Sequence, residues 1–497
     1  MISDVFKIGE TYNNKINNEV ISSWKGNVFL NGATGSGKSY FVLNKLVKYC
    51  ETHMKSILVL CNRTALRKSY YEKKVNNNLH NITISSYQEI QENIKKGIKF
   101  REKYDFIVCD ECHYFTTDSL YIIDTDLSFD WIINNNAIKI FMSGTGWTMF
   151  NYLYDKKLLD YCYTIPYDYS YVKDFIIYEK KENVYNIIND LLTNTNDKII
   201  YFANSLNLAL KVYNQFKKYS HFKCSKYIKD EKIQKLNEVG ENECIKEKNN
   251  TITFDKRLLI ATKALDNGID LKDKNIKYII SDIYDMESAQ QCLGRKRIID
   301  KNDNVTFYIR NYNKNAVGGL YTQLQRKLKP IITFITNKKL FHDKYDIDRT
   351  FHSEYIYHID ENTRDYNHLA YIKLKEEAKK MKLILDEKNY YIDMFLDNFN
   401  NLKNIKSLEL EEEYKMKDEL QLYLESIVGK KLFKEEQEEL INKINLTDSR
   451  GRQQKSARSI NQYLNDNFNM TIITNRESIR KSINFRKTYW IINEGII

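Results

Sequence analysis

The sequence predicts an α/β protein built as two tandem parallel-sheet lobes followed by a mainly helical C-terminal region. Three observations predict it. Short apolar runs of strand length alternate with polar segments long enough for helices from residue 27 to 142, and the same rhythm restarts after about residue 175. A glycine-rich loop sits between the first such strand and the helix after it. From about residue 345 the pattern changes to charge-dense segments with 3.6-residue apolar spacing.

The elements follow in order. NVFLN (27–31) is a strand, GATGSGKS a loop, and Tyr40–Tyr49 a helix. Ser56–Leu60, Asn81–Ser85, Phe106–Cys109 and Lys139–Met142 are further strands. Tyr163–Asp174 is expected to connect the lobes. In the second lobe Lys198–Phe202, Arg257–Thr262, Lys277–Ser281 and Asn304–Ile309 are strands, and Leu206–Lys218 is a helix. Residues 366–446 read as helical, broken at Gly429. The tail is expected to form helices at Gln454–Phe468 and Arg476–Asn484, then a hairpin over FRKTYWII. The expected domains are therefore 1–165, 166–340, 341–446 and 447–497.

Composition sets bounds on function. A chain of 497 residues with 42% hydrophobic and 29% charged residues fits a soluble multidomain protein rather than a disordered one. The net charge of +11 permits a polyanionic partner without requiring one. Abundant Asn, Lys, Ile and Tyr, with Pro166 and Pro330 the only prolines, fit an AT-rich coding sequence. The Asn runs are therefore not read as low-complexity segments. The eight cysteines are dispersed, and Cys109 and Cys112 lack the second pair a zinc site needs. The first residues show no basic region followed by an apolar stretch, and no apolar run approaches the roughly 20 residues of a membrane span. A cytoplasmic protein with reduced thiols and no membrane partner is expected.

The chemistry begins in the loop. Gly32, Ala33, Thr34, Gly35, Ser36, Gly37, Lys38 and Ser39 fit G-x-x-x-x-G-K-[ST] at every position. Glycines let the backbone wrap phosphates, whose charge the amides and the helix N-terminus cradle. Lys38 would reach the β- and γ-phosphates, and Ser39 would ligate Mg²⁺. The strand Phe106–Cys109 ends in Asp110-Glu111-Cys112-His113. An acidic pair at the C-terminal end of a strand in an open α/β sheet points into the ligand crevice. Asp110 would hold Mg²⁺ and Glu111 would orient and deprotonate water. ATP and Mg²⁺ are the expected cofactors.

Loop and DECH box together resemble the DExH branch of helicase superfamily 2, which implies two RecA-like lobes and a nucleic-acid-dependent ATPase. The resemblance covers about residues 22–335. It implies that Ser143-Gly144-Thr145 couples hydrolysis to strand movement through Ser143 and Thr145. It also implies that Arg63, Thr64 and Ser86 contact backbone phosphates. The run Ile260–Asp270 resembles that family's motif V, which places Thr262 and Gly268 on nucleic acid and Asp270 toward the nucleotide or the coupling network. Gln290-Gln291-Cys292-Leu293-Gly294-Arg295-Lys296-Arg297 resembles motif VI, whose arginine stabilises the transferring phosphoryl group. Here Arg297 follows Arg295 by two residues instead of three. That compact form resembles the Q-x-L-G-R-x-R of some viral and mobile-element replication helicases, and it leaves both Arg295 and Arg297 open as the finger, with Arg297 preferred.

The resemblance implies a motor that moves along or unwinds nucleic acid, with DNA favoured over RNA by the motif VI shape. An RNA helicase and a non-motor ATP-gated clamp are the alternatives. Residues 450–497 carry a local basic excess with Tyr489 and Trp490 on the hairpin, which suggests a winged-helix-like nucleic-acid contact or an ordinary capping domain. Residues 366–446 read as an arm, a protein-partner site or a spacer.

Overall fold

The structure, a computed structural model, describes the chain except residues 34, 63, 99–102, 226–227, 238–244, 249–250, 263–269, 347–353, 359–362, 398, 400–401, 448–451 and 495–497. Side chains are also left undescribed at 64, 65, 237, 245–248, 346, 410–416, 418 and 494. The chain forms two compact units, Met1–Lys406 and Ser407–Ile497.

The first unit holds both lobes. Lobe one is a parallel sheet of β1 (Ile2–Val5), β2 (Asn27–Gly32), β3 (Ile57–Leu60), β4 (Ile82–Ser85), β5 (Phe106–Asp110), β6 (Ile138–Ser143) and β7 (Tyr161–Ile165). The order is β1-β7-β2-β6-β5-β3-β4. Every residue of β2, β3 and β5 is buried, because helices cover both faces. That is why these strands read as continuous apolar runs rather than alternating ones.

Lobe two contains β8 (Val172–Tyr178), β9 (Lys198–Ala203), β10 (Ser220–Lys223), β11 (Ile245–Lys248), β12 (Thr251–Phe254), β13 (Leu258–Thr262), β14 (Asp270–Leu271), β15 (Ile276–Ser281) and β16 (Val305–Arg310). Its main sheet runs β10-β13-β9-β15-β16-β8, with Ile405–Ser407 at the edge. Strands β11, β12 and β14 make a small separate sheet. Two parallel-sheet lobes in tandem, each of the RecA-like kind, are thus in place.

The connector is shorter than expected. Tyr161–Ile165 and Val172–Tyr178 are strands, which leaves residues 166–171 between the lobes. Their tyrosines hide the alternation: Cys162, Tyr163 and Ile165 are buried, as are Val172, Phe175 and Tyr178.

The expected accessory region does not stand as one piece. The helix His368–Asp386 packs Ala370, Leu374, Ala378 and Met381 against Leu324, Leu328 and Ile331 of the helix Lys314–Thr336. Its Leu369 enters a lobe-one cluster. Tyr391, Ile392 and Phe395 of the helix Tyr390–Asp397 join the lobe-two core. This stretch is therefore part of the first unit, not a free arm. The helices Leu408–Ile427 and Lys434–Ile444 belong to the second unit instead. There Leu424, Leu440 and Ile441 pack with Ile460, Leu464, Met470, Trp490 and Ile492. The compact units divide at 406/407 rather than at 446/447, because apolar burial, not charge density, decides which helices go together. Gly429 does end the first of these helices, at φ +71°.

The tail also differs from expectation. Ala457–Phe468 is helical, but Arg476–Asn484 is not a helix. Strand Met470–Arg476 pairs antiparallel with Thr488–Glu494, so Arg476 ends a strand. No described helix is long and apolar enough to cross a membrane.

Candidate nucleotide and coupling site

The site gathers at the C-terminal ends of β2, β5 and β6, where an open parallel sheet leaves its crevice. After β2 the chain turns through Gly35 (φ +93°) and Gly37 (φ +86°), conformations that glycine reaches without strain. A Cβ on Gly32 would lie 2.6 Å from the Tyr12 hydroxyl, so that position has no room for a side chain. The helix that follows starts at Lys38 and passes through a π-helical turn at Val42–Leu46. The Lys38 ammonium donates to the carbonyls of Gly32 and of Ala33, the latter at 3.1 Å. Burial disfavours its charge, and Glu111 and Asp110 oppose that effect.

Asp110 closes β5 fully inside the protein. Its Oδ2 accepts from the Tyr70 hydroxyl at 2.7 Å and from Ser39 Oγ at 3.4 Å. Its carbonyl accepts from the Tyr87 hydroxyl at 2.9 Å. Burial and then the charge of Glu111 push the Asp110 carboxyl up to about 6. Glu111 stands in the left-handed region at φ +51°, a strain of about 1–3 kcal/mol for a residue with a side chain. Burial alone would raise its carboxyl, but His113, Lys38 and Arg295 outweigh it and hold it at about 2.

A chain of side chains runs from there across the interlobe cleft. Glu111 Oε2 lies 3.3 Å from His113 Nδ1, which is 3.1 Å from Ser143 Oγ. Ser143 Oγ accepts from the Thr145 amide at 3.1 Å. Thr145 Oγ1 in turn accepts from Gln291 Nε2 of the helix Met286–Gly294 in lobe two. In parallel, the Thr148 amide donates to Glu287 Oε1 of that helix at 3.3 Å.

Both motif VI arginines face the loop and box. Arg295 is 5% exposed, and its Nε has no hydrogen-bond partner among the described residues. Its charge helps hold down Glu111. Arg297 Nε pairs with Asp270 Oδ1 at 2.8 Å, and its Nη1 lies 2.9 Å from where a Cβ on Gly35 would be. The donor set suits an anion: left-handed glycines, a buried lysine and two arginines, one with an orphaned buried N–H. Ser39 Oγ and Asp110 Oδ2, side by side, are oxygens of the kind Mg²⁺ takes.

Of the expected site residues, Gly32, Ala33, Gly35, Ser36, Gly37, Lys38, Ser39, Asp110, Glu111, Ser143, Thr145, Asp270, Arg295 and Arg297 gather around the ends of these strands, and Ala33, Thr145 and Arg297 among them line the interlobe cavity. Thr34, Arg63 and Gly268 lie outside the described residues, as does the side chain of Thr64. Thr262 ends β13 and lines a second interlobe cavity with His113, Thr145, Asp285 and Gln291. The Ser86 hydroxyl caps the helix Tyr87–Lys95 by accepting from the Glu89 amide at 3.1 Å, a local structural role. Sequence reasoning missed Tyr70, Tyr87 and Glu287. It also missed the linker tyrosines Tyr167, Tyr169 and Tyr171, which line the cleft beside Arg297. Only the Tyr-x-Tyr-x-Tyr spacing could have flagged the last three.

Tandem RecA-like lobes, with a phosphate loop in one and an arginine-bearing helix reaching it from the other, define a helicase core. Residues 25–157 match the family model "Schlafen group 3, DNA/RNA helicase domain", and residues 179–297 match "Helicase conserved C-terminal domain". The chain carries two helicase domains in tandem, one in each lobe. No curated protein matches it. Similar solved structures include S. cerevisiae Dbp5 bound to RNA and ADP BeF3, at 14% identity and a TM-score of 0.41, covering 60% of this chain and 83% of that one. Another is the DEAD-box helicase Mss116 bound to ssRNA and UDP-BeF, at 15% identity and a TM-score of 0.42, covering 62% and 77%.

Proposed function

We propose that this helicase is an ATP-driven motor of the DExH type that hydrolyses ATP between its lobes and moves along DNA. The observation that carries the reading is the unbroken relay Glu111–His113–Ser143–Thr145–Gln291. It ties the group that would meet the attacking water to the opposite lobe, so a change at the phosphate is felt across the cleft.

Each residue has a task in this scheme. The loop amides and Lys38 bind the phosphates, which break the bonds Lys38 makes to the Gly32 and Ala33 carbonyls. Ser39 and Asp110 would hold Mg²⁺, which would supply positive charge to the transferring phosphoryl group. Glu111, kept ionised by His113, accepts a hydrogen bond from the attacking water and orients it. Its low basicity suits positioning more than full proton abstraction. Asp270 fixes Arg297, whose guanidinium stands over Gly35 as the finger, while Arg295 adds positive charge beside Glu111. Closing and reopening of the lobes then moves nucleic acid held by Arg63, Thr64, Thr262 and Gly268.

DNA is supported by the compact Gln291–Arg297 spacing, which fits a role in replication of a mobile element or phage. The test is ATP hydrolysis by the purified chain without polymer and with single-stranded DNA, duplex DNA or single-stranded RNA, beside Lys38→Ala and Glu111→Gln. Stimulation by DNA that both substitutions abolish is the expected result. Stimulation by RNA alone moves the track to RNA. Equal turnover with every polymer and with none refutes the motor and leaves an ATP-gated clamp.

A further inference from the structure

The second unit, Ser407–Ile497, has a topology and a charge separation that the motor does not use. Three helices, Leu408–Ile427, Lys434–Ile444 and Ala457–Phe468, precede the hairpin of Met470–Arg476 and Thr488–Glu494. Between the first two helices, Leu432 exchanges backbone hydrogen bonds with Trp490 at 2.8 and 2.9 Å, which adds a third short antiparallel rung. Helix–rung–helix–helix–hairpin is the order of a winged helix. Its third helix is the groove-entering one, and the hairpin loop is the wing.

Charge follows the same division. The first two helices are acidic in sequence, LELEEEYKMKDELQLYLESI and KEEQEELINKI. The third helix carries exposed Arg458 and Asp466 and no net charge, and the wing is basic: Arg480, Lys481, Arg486 and Lys487 are exposed, and neither they nor Arg458 pair with a carboxylate among the described residues. The wing base is fastened. Glu477 donates its amide to the Lys487 carbonyl at 3.0 Å, and its carboxylate pairs with Lys431 at 2.7 Å. Beyond that base the wing exposes Ile479 (58%), Ile483 (94%) and Phe485 (37%) between its cations. Tyr489 and Trp490 are instead buried at 8% and 7%, so they hold the wing's root and do not stack on a ligand.

The geometry points to Ser407–Ile497 as a second nucleic-acid site, one that grips duplex DNA with the helix Ala457–Phe468 in the major groove and the 477–487 wing on the flanking backbone. The helix, about 18 Å long, presents Arg458, Gln462 and Asn465 on its exposed face at i, i+4 and i+7. Those are the side-chain types that read guanine and adenine edges. The B-form major groove, about 12 Å wide, admits a helix, whereas the deep, narrow A-form groove does not, which selects DNA over an RNA duplex. The wing's cations match phosphates, and its exposed apolar tip matches the sugar edge or a base step of the minor groove.

The site is independent of ATP hydrolysis, so its test uses the full chain without nucleotide. Anisotropy titrations across a salt series compare a short DNA duplex, the same sequence as RNA duplex and as single-stranded DNA. They use the wild type, Arg480→Ala/Lys481→Ala/Lys487→Ala, and Arg458→Glu as a second variant on a different element. Both variants should weaken duplex DNA binding, by roughly 10- to 100-fold, and the triple variant should lower the salt slope by about 3. Polymer-free ATP turnover and thermal melting should stay as in the wild type, and RNA duplex should bind more weakly throughout. Unchanged duplex DNA affinity in both variants overturns the proposal. So does an equal loss on RNA duplex, or a preference for single strands that the variants abolish.

Discussion

Removing the Lys373 ammonium tests the packing argument directly. Lys373, on the helix His368–Asp386, is 2% exposed and faces Asp285 at 3.4 Å, Glu377 at 3.5 Å and Glu287 at 4.0 Å. Burial disfavours its charge, yet the three carboxylates outweigh that and raise its pKa. Asp285 caps the motif VI helix through the Ser288 amide, and Glu287 accepts from Thr148 across the cleft. A charge pair at this separation and an effective dielectric near 20 is worth about 4 kcal/mol. Breaking a buried pair by deleting one partner costs about 3–5 kcal/mol. Asp285 and Glu377 retain 27% and 20% of their side-chain exposure and can rehydrate, while Glu287, at 9%, cannot. Lys373→Met should therefore cost about 3 kcal/mol in urea unfolding of the first unit at about pH 8. Burial already raises the Glu287 carboxyl, and losing Lys373 raises it further. A carboxyl whose folded pKa lies above its unfolded value loses stability as pH rises between the two. The deficit should accordingly shrink to about 1 kcal/mol at about pH 5.5. ATP turnover should fall with it, because Arg295 caps the C-terminus of that helix and Arg297 follows directly after it. A loss below about 1 kcal/mol at pH 8, or one that does not change with pH, refutes this account of the cluster.

Thr145→Ala and Gln291→Ala each cut the interlobe relay, so each should lower polymer-stimulated turnover by roughly 10-fold, and the double variant should lose little more; fully multiplicative losses would show that the two act separately. Asp126 accepts from the Tyr357 hydroxyl at 2.8 Å, and burial pushes its carboxyl up to about 7. Its native state binds a proton that the unfolded chain has released, so stability falls as pH rises from about 4 to about 7. Asp126→Asn should then raise unfolding stability by about 2 kcal/mol near pH 8 and have no effect near pH 4, which a pH series of melting curves reads.

The sequence located the candidate chemistry wherever contiguous residues carry it. The loop Gly32–Ser39, the box Asp110–His113, Ser143-Gly144-Thr145 and the motif VI run each sit on one strand–loop or one helix. Their residue types at fixed offsets suffice to name them, and the fully buried β2, β3 and β5 announce themselves as apolar runs. Tertiary structure alone decided what joins them. Tyr70 donates to Asp110 from 40 residues away, Gln291 reaches Thr145 across 146, and Glu287 reaches Thr148 across 139. Polar pairs of that separation leave no periodic trace. Lys373 reads in sequence as one more lysine in a solvated, charge-rich helix, and only the fold buries it among carboxylates. The division at 406/407 was hidden for the same reason. Charge-dense helices on either side of it look alike in sequence, and what separates them is which apolar residues each one buries, and against what.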